Sequence, residues 1–390
     1  MTPAARIAAA AEVLDEIRGG VAAEPALTRW GRGHRFAGSK DRAAIRDHVF
    51  DALRCRASFA AWGGGETGRA LMLGMLRAEG RDPATVFNGE GHAPEPLSEA
   101  ETAAGGAPEG MAALDCPAWV SGALLASLGD DFESVMRVLQ RRADVFLRAN
   151  VLRASREEAA QALADEGIVA EPGPLAPECL KVVEGARRIK LSQAYLDGLV
   201  ELQDAASQAV CAHIPLPETG KVLDYCAGGG GKVLALAARS PGLSYAAHDA
   251  FPKRMKDLPA RAERAGVDAR LVSESDVETV AYDVILTDVP CSGSGAWRRQ
   301  PEAKWALDQA TLDGLLTVQQ EILDTAARLV APRGTLAYAT CSMLNAENGD
   351  QISAFLARNS AFEMVSERRF SPLEGGDGFF LALLRRCGEA

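Results

Sequence analysis

Long apolar runs are missing from this chain. No stretch of its 390 residues approaches the roughly 20 apolar residues of a membrane-spanning helix. Paired cysteines are missing too. Cys55, Cys116, Cys179, Cys211, Cys226, Cys291, Cys341 and Cys387 form no C-x-x-C pair and no zinc-ligand spacing. The five histidines form no ligand or triad pattern, so no metal is expected. The stretch 4–17 is interrupted by Arg6, Glu12, Asp15 and Glu16 and lacks the apolar core of an export signal. The expectation is a cytoplasmic protein with reduced thiols. Positive charge is also short: 42 basic against 53 acidic residues, a net charge of -11. That balance excludes a nonspecific nucleic-acid coat, which needs a basic field. What is present, 47% hydrophobic and 24% charged residues, is the composition of a globular chain.

Three regions are expected. Residues 1–140 read as helical: Ile7, Val13, Leu14 and Ile17 fall at helical spacing, as do Ile45, Val49, Phe50 and Leu53, with Ser39 as a plausible N-cap. Arg42, Arg46, Arg54 and Arg56 should lie on the wetter side. Residues 89–112 read as a long loop. Residues 141–198 read as a small α/β segment, with a helix capped by Ser155. From residue 199 strands and helices alternate. Strands are expected at Val222–Tyr225, Leu243–His248, Ala269–Val272, Val284–Thr287 and Thr335–Thr340, with a helix from Thr311 to Leu329 closed by Pro332 and Gly334. Alternation of this kind implies a parallel, doubly wound sheet. Phe362–Val365 and Gly378–Leu384 lack an intervening helix and read as an antiparallel hairpin.

The first strand of that region runs into Cys226, Ala227, Gly228, Gly229, Gly230, Gly231 and Lys232. A strand feeding a glycine-rich turn and a helix lets backbone approach a ligand closely. Asp249 follows 25 residues after Asp224, where a carboxylate can accept from ribose hydroxyls. Asp276 follows the third strand and Asp288 ends the fourth, on the same carboxyl edge. The loop is not a P-loop, because Val233 follows Lys232. Carboxylates suit a ligand with hydroxyls and cationic groups, and S-adenosylmethionine has both.

Cys291 follows the fourth strand and Cys341 ends a later one. Carbon 5 of a pyrimidine is a poor nucleophile. A thiolate added at carbon 6 makes carbon 5 enamine-like, able to take a methyl group from a sulfonium. A second thiol can assist release of the first. This chemistry uses two cysteines on one pocket edge.

In these segments the chain resembles the RNA cytosine-5 methyltransferases, most closely bacterial 16S rRNA enzymes of the RsmB/Sun type. The resemblance rests on Cys226–Lys232 (C-A-A-P-G-G-K in the family), on Asp288 to Gly293 with Arg298, Arg299 and Pro301, and on Thr340-Cys341-Ser342 with Glu347-Asn348. Gln203–Ser207 resembles the stretch preceding the catalytic domain, and Phe36–Arg42 resembles part of a NusB-like RNA-binding domain. Gly228 and Gly229 depart from the usual Ala-Pro, and Val233 from Thr.

The resemblance implies a Rossmann-like class I methyltransferase domain over 199–390, with a mostly parallel seven-stranded sheet and an antiparallel C-terminal hairpin. It implies an all-α NusB-like domain (1–140) and a small α/β linker (141–198) before it. It further implies Cys341 as nucleophile, Cys291 as helper in release, and Asp288 at cytosine N3 beside the cofactor. The loop Cys226–Lys232 would hold the methionine end of S-adenosylmethionine. Asp249 and Asp276 would hold ribose and adenine, with Arg254 also on the cofactor side. The implied partner is structured RNA, namely 16S rRNA, met by a monomer. A tRNA substrate, or a non-catalytic ribosome assembly factor, is the alternative. A nicotinamide-dependent dehydrogenase would leave both cysteines unexplained.

Arg298, Arg299 and Lys304, interleaved with Trp297 and Trp305, are the expected RNA contacts, since arginine and tryptophan suit phosphate and base stacking. Arg141, Arg142, Arg148, Arg153 and Arg156, and Lys253, Arg254, Lys256, Arg261 and Arg264 on one expected helix, are further basic groups more readily explained as solvated faces.

Overall fold

The computed structural model describes residues 1–277 and 279–388. Among them no helix is long and apolar enough to cross a membrane. The chain divides into two units: Met1–Arg142 with Trp297–Asp308, and Ala143–Ala296 with Gln309–Ala390.

The first unit is helical. It opens with α1 (Pro3–Arg18), α2 (Ala23–Gly33), α3 (Ser39–Arg54), α4 (Arg56–Gly63) and α5 (Gly68–Ala78). The expected apolar faces meet in its core, where Ile7, Val13, Leu14, Ile45, Val49, Leu53, Met72 and Leu76 are buried. Thr2 and Thr67 cap α1 and α5 with side-chain oxygens, as short polar residues do at helix starts. Ser39 is not a cap; Gly38 holds that position and Ser39 is the first helical residue. Residues 89–112 contain only two short helical pieces, Glu99–Ala103 and Gly110–Ala113. Helices α4 and α5 cross through glycines. A Cβ on Gly74 would lie 1.8 Å from the Phe59 carbonyl oxygen, and one on Gly63 1.9 Å from that of Ala70.

The segment Trp297–Asp308 is built into this helical unit by saturating helix ends, where backbone groups lack intrahelical partners. The Glu302 carboxylate accepts from the Ala23 N–H at 3.0 Å, at the start of α2, which has no side-chain cap of its own. Lys304 Nζ donates to the Arg54 carbonyl and Trp305 Nε1 to that of Leu53, both at 2.7 Å, at the end of α3. Arg54 Nε donates to the Arg298 carbonyl at 2.8 Å. This corrects two expectations. Arg54 is buried rather than wet, and Arg298 and Lys304, 5% and 1% exposed, are not surface cations for RNA. Arg299 is half-buried. Burial lowers the Lys304 ammonium to about 8, although Asp115 pulls the other way.

The second unit begins with a four-stranded antiparallel sheet: β1 (Val145–Ala149), β2 (Val169–Pro172), β3 (Cys179–Glu184) and β4 (Val200–Leu202), in the order β2-β3-β1-β4. Its helix, Arg156–Asp165, starts with the expected cap: Ser155 Oγ accepts from the Glu158 N–H while the Glu158 carboxylate accepts from the Ser155 N–H.

A seven-stranded sheet follows: β5 (Lys221–Asp224), β6 (Ser244–Ala247), β7 (Arg270–Leu271), β8 (Tyr282–Asp288), β9 (Val330–Thr340), β10 (Phe362–Phe370) and β11 (Phe379–Arg386). The order is β10-β11-β9-β8-β5-β6-β7, and only the pairings of β11 are antiparallel. The mostly parallel sheet with a C-terminal hairpin is therefore present. Near-continuous buried runs in β5 and β8 suit a sheet covered on both faces. The helix Gln309–Leu329 ends at Leu329 as expected, but Pro332 and Gly334 lie inside a strand and not in a loop. It passes directly into β9, where those residues lie in a register shift against β8. Strand order reverses between β5 and β8, so their carboxyl ends bound the crevice in which such sheets bind ligands.

If the glycine crossing holds α4 against α5, Gly74→Ala should cost about 1–3 kcal/mol and lower the urea midpoint. An unchanged midpoint would show that the helices separate freely.

Candidate active site at the switch point

Asp224 ends β5 and Asp288 ends β8, on either side of the strand-order reversal. The loop 225–230 leaves β5 and enters the helix Gly231–Arg239. Gly228 and Gly230 have φ of +51° and +82°, the left-handed region glycine tolerates best. A Cβ on Gly230 would lie 2.2 Å from the Leu258 side chain.

The loop is held from below rather than left loose. The Asp249 carboxylate, 3% exposed at the end of β6, accepts from the Gly228 N–H at 2.9 Å and the Phe251 N–H at 2.9 Å. Arg254 pairs with it at 3.3 Å. Buried Arg148 on β1 donates to the Gly231 carbonyl at 2.8 Å, and Arg261 donates to that of Gly229. Arg261 and Arg264 also pair with Glu201 on β4. Of the basic residues grouped on one expected helix, Lys253 and Arg254 lie in a short turn, Pro252–Met255, Lys256 follows it, and Arg261 and Arg264 lie in the helix Leu258–Ala265. Arg148, Arg261 and Arg264 are structural partners of this loop and its surroundings.

Lys232 closes the loop and donates to Asp288 Oδ2 at 2.6 Å, with its ammonium 5.1 Å from the Phe379 ring centre. Burial opposes the Lys232 charge, but Asp288 outweighs it with its neighbours and holds the ammonium above its ordinary range. Asp224 is fully buried. Its Oδ2 accepts from the Val233 N–H, whereas Oδ1 has no hydrogen-bond partner among the described residues. Burial first, then the Asp288 charge, pushes the Asp224 carboxyl up to about 7.

The two cysteines converge: Cys291 Sγ lies 3.4 Å from Cys341 Sγ. A hydrogen bond to Cys341 first, then burial, holds the Cys291 thiol well above its ordinary range. Beneath them lies Glu347, fully buried. Its carboxylate accepts from the Ser292 N–H at 2.7 Å, Ser292 Oγ at 2.5 Å, Gln319 Nε2 at 3.0 Å and Ser342 Oγ. Each serine directly follows one of the cysteines, so one carboxylate fixes both cysteine loops. The Gly295 N–H donates to the Cys341 carbonyl at 2.9 Å, and Ser294 Oγ accepts from the Met343 N–H at 2.8 Å. Thr340 Oγ1 donates to Asn348 Oδ1 at 2.5 Å, and Asn348 Nδ2 to the Ser342 carbonyl at 2.9 Å.

The site therefore joins Cys291, Cys341, Asp288, Lys232, the glycine loop and Asp249. Asp276 is different. It is exposed in the short helix Glu274–Val277 and accepts from Ser273 Oγ. Glu347 stood out in the sequence only by its place in a motif. Its role comes from two hydroxyl residues, Ser292 and Ser342, 50 positions apart. No group of three His, Cys, Asp or Glu residues among those described could hold a metal.

Residues 213–385 match the family described as 16S rRNA methyltransferase RsmB/F, and residues 116–188 match the ferredoxin-like domain of RsmF/B-like methyltransferases. The chain is 32% identical to ribosomal RNA small subunit methyltransferase B of Xylella fastidiosa strain 9a5c over 286 residues, 69% of this chain and 68% of that protein. The same-named protein of Photorhabdus laumondii is 30% identical over 285 residues, 69% of this chain and 66% of that protein. The match thus spans about two thirds of these relatives' length. The solved structure of PH0851 superposes with a TM-score of 0.77 over 99% of both chains at 24% identity. A methyltransferase homologue from Pyrococcus horikoshii gives 0.62 over 71% of this chain and 97% of its own, at 22% identity. Both likenesses are of fold.

Mild oxidation of the native protein with diamide should join Cys291 to Cys341, seen as loss of two free thiols and a linked peptide pair. Glu347→Gln should slow the reaction severalfold by loosening both loops. Equal rates in the two proteins would contradict the positioning role.

Proposed function

The chain belongs to the 16S rRNA methyltransferase RsmB/F family, and on that premise we propose that it transfers a methyl group from S-adenosylmethionine to carbon 5 of a cytosine in 16S rRNA, through a covalent Cys341 adduct at carbon 6. The observation that carries the reading is the pair of thiols at 3.4 Å beside a strand-end aspartate.

The residues fit the cofactor. The unpartnered, buried Asp224 Oδ1 is an acceptor suited to an amino group with positive charge. Asp249 uses two of roughly four lone-pair sites on backbone N–H groups, which leaves acceptor capacity for ribose hydroxyls. When bound, S-adenosylmethionine supplies an electrophilic methyl group.

The protein supplies the rest. Cys341 attacks carbon 6 of a base splayed from its stack, as base-modifying enzymes require. Lys232 holds Oδ2 of Asp288 and leaves Oδ1 to accept from cytosine N3, which takes up the proton that the Cys341 thiol gives up. That contact favours the protonated base and drains electron density from the ring as the thiolate adds. After transfer, the carbon 5 proton passes to solvent water, its electron pair re-forms the ring double bond between carbons 5 and 6, and the bond from carbon 6 to Cys341 breaks. Cys291, held in its thiol form, donates to the departing Cys341 sulfur and stabilises it as a thiolate.

Cys341→Ala should abolish 5-methylcytosine formation on 16S rRNA, read by bisulfite sequencing. Cys291→Ala should accumulate a protein–RNA adduct that survives denaturing gels. An adduct accumulating in Cys341→Ala would reverse the roles, and full activity there would remove the covalent mechanism.

The Asp224 carboxyl near 7 gives a second test. A cationic amino group favours the carboxylate, so cofactor binding should tighten as pH rises from about 5.5 to 7, by up to about tenfold per unit. The sign for folding is opposite. With its native value above the unfolded one, Asp224 favours the fold at low pH and loses that contribution as pH rises through about 7. Asp224→Asn should flatten the binding profile measured by calorimetry. An unaltered slope would place the amino group elsewhere.

A further inference from the structure

Lys232 stands between two carboxylates. Its ammonium donates to Asp288 Oδ2 at 2.6 Å, and the Asp224 charge also attracts it. Asp224 Oδ1 has no hydrogen-bond partner among the described residues. A lysine carries three N–H donors on a flexible stem, and this one is buried. Asp288 Oδ2 is its one hydrogen-bond acceptor among the described residues. A buried ammonium with idle donors is costly, so the open Asp224 oxygen offers it a second place to turn. Both assigned roles would then be lost. Asp224 could not take the cofactor's amino group, and Asp288 would not be held for the base.

The Phe379 ring opposes that turn. Its centre lies 5.1 Å from Lys232 Nζ, within range of the attraction between a cation and the electron-rich face of a ring. The ring is 8% exposed, so water screens this attraction little. The backbone of Phe379 is fixed. It opens β11, and the next residue, Phe380, faces Thr340 in the register with β9. Phe379 is therefore level with Cys341, the residue after Thr340. The preceding Gly378 N–H donates to the Gly295 carbonyl at 3.0 Å, and the Gly295 N–H donates to that of Cys341 at 2.9 Å. A Cβ on Gly295 would lie 2.0 Å from the Gly378 carbonyl oxygen, so these two backbones meet without room between them. The Asp377 N–H donates to Asp204 Oδ1 at 3.1 Å. A ring on an anchored backbone, tied to both cysteine loops, thus faces a lysine on a flexible stem.

We infer that Phe379 is a positioning residue for methyl transfer: its ring face holds the Lys232 ammonium on Asp288 and away from Asp224. Asp288 is thereby kept aimed at the base, and Asp224 stays open to the cofactor's amino group. The titratable groups facing the ammonium are Asp288 from β8, Asp224 from β5 and Cys211 from the helix Ala205–His213. Asp249 also acts on Asp224. The inference rests on the roles proposed above for Asp288 and Asp224.

The test compares Phe379→Leu, Phe379→Tyr and a protein with pentafluorophenylalanine at position 379. Methylation kinetics on 16S rRNA and calorimetric titration with S-adenosylmethionine are measured for each. Leucine removes the ring face, and the fluorinated ring keeps the shape while reversing the charge of the face. In both proteins kcat should fall about tenfold with the KM for RNA unchanged, and S-adenosylmethionine should bind about tenfold more weakly. An ammonium turned to Asp224 also lowers that carboxyl from its value of about 7. The rise in cofactor affinity between about pH 5.5 and 7 should therefore flatten. Phe379→Tyr keeps the ring face and should retain most of the wild-type rate and the wild-type pH slope. Wild-type kcat with an unaltered pH slope in Phe379→Leu would overturn the inference. A fully active fluorinated protein beside a slow Phe379→Leu would overturn it too, since packing alone would then explain the loss. Absence of 5-methylcytosine with the wild-type protein would overturn the cytosine reading instead, and the calorimetric slopes would still decide where the ammonium sits.

Discussion

A single buried carboxylate organises the reactive end of this protein. Glu347 gathers four donors from Ser292, Gln319 and Ser342, and through the two serines it fixes the loops that carry Cys291 and Cys341. A buried carboxylate is tolerable only when its lone pairs are filled by donors. Here the donors come from three different parts of the chain. The requirement to satisfy one charge therefore becomes a requirement that β8, β9 and the helix Gln309–Leu329 meet in one arrangement. The thiol separation of 3.4 Å is a consequence.

The cofactor side follows the same logic with backbone partners. Four consecutive glycines would give a floppy turn in isolation, since glycine loses the most freedom on ordering. The loop is instead tied at Gly228 by Asp249, at Gly229 by Arg261 and at Gly231 by Arg148. Departure from the Ala-Pro of related loops is thus compensated by side chains from β1, the end of β6 and the helix Leu258–Ala265. The small antiparallel sheet has a direct role, because it delivers Arg148 and Glu201 to this region.

Much of this was legible in the sequence, for identifiable reasons. Strands β5, β6, β8 and β9 were found because buried parallel strands are short apolar runs bounded by turn residues. The Cys291 and Cys341 pair was found because both follow strand ends on the same edge. What the sequence concealed were contacts set by distant partners. Lys304 and Trp305 read as an RNA contact by spacing, yet they saturate the carbonyls at the end of α3, about 250 residues earlier. The helix closed by Pro332 and Gly334 does end at Leu329, yet those two residues lie inside β9 at a register shift. Ser39 read as a cap, yet Gly38 took that position. Asp224 read as one carboxylate among several, and only burial distinguishes its unpartnered oxygen.

The account's central claim is that Cys341, not Cys291, forms the bond to the base. Incubating the wild-type protein with S-adenosylmethionine and 16S rRNA containing 5-fluorocytidine tests it most directly. Fluorine at carbon 5 cannot leave as a proton does, so the covalent intermediate persists and its peptide can be identified by mass spectrometry. The account predicts the nucleotide on the peptide containing Cys341. A nucleotide on the Cys291 peptide, or no covalent peptide at all, would contradict it.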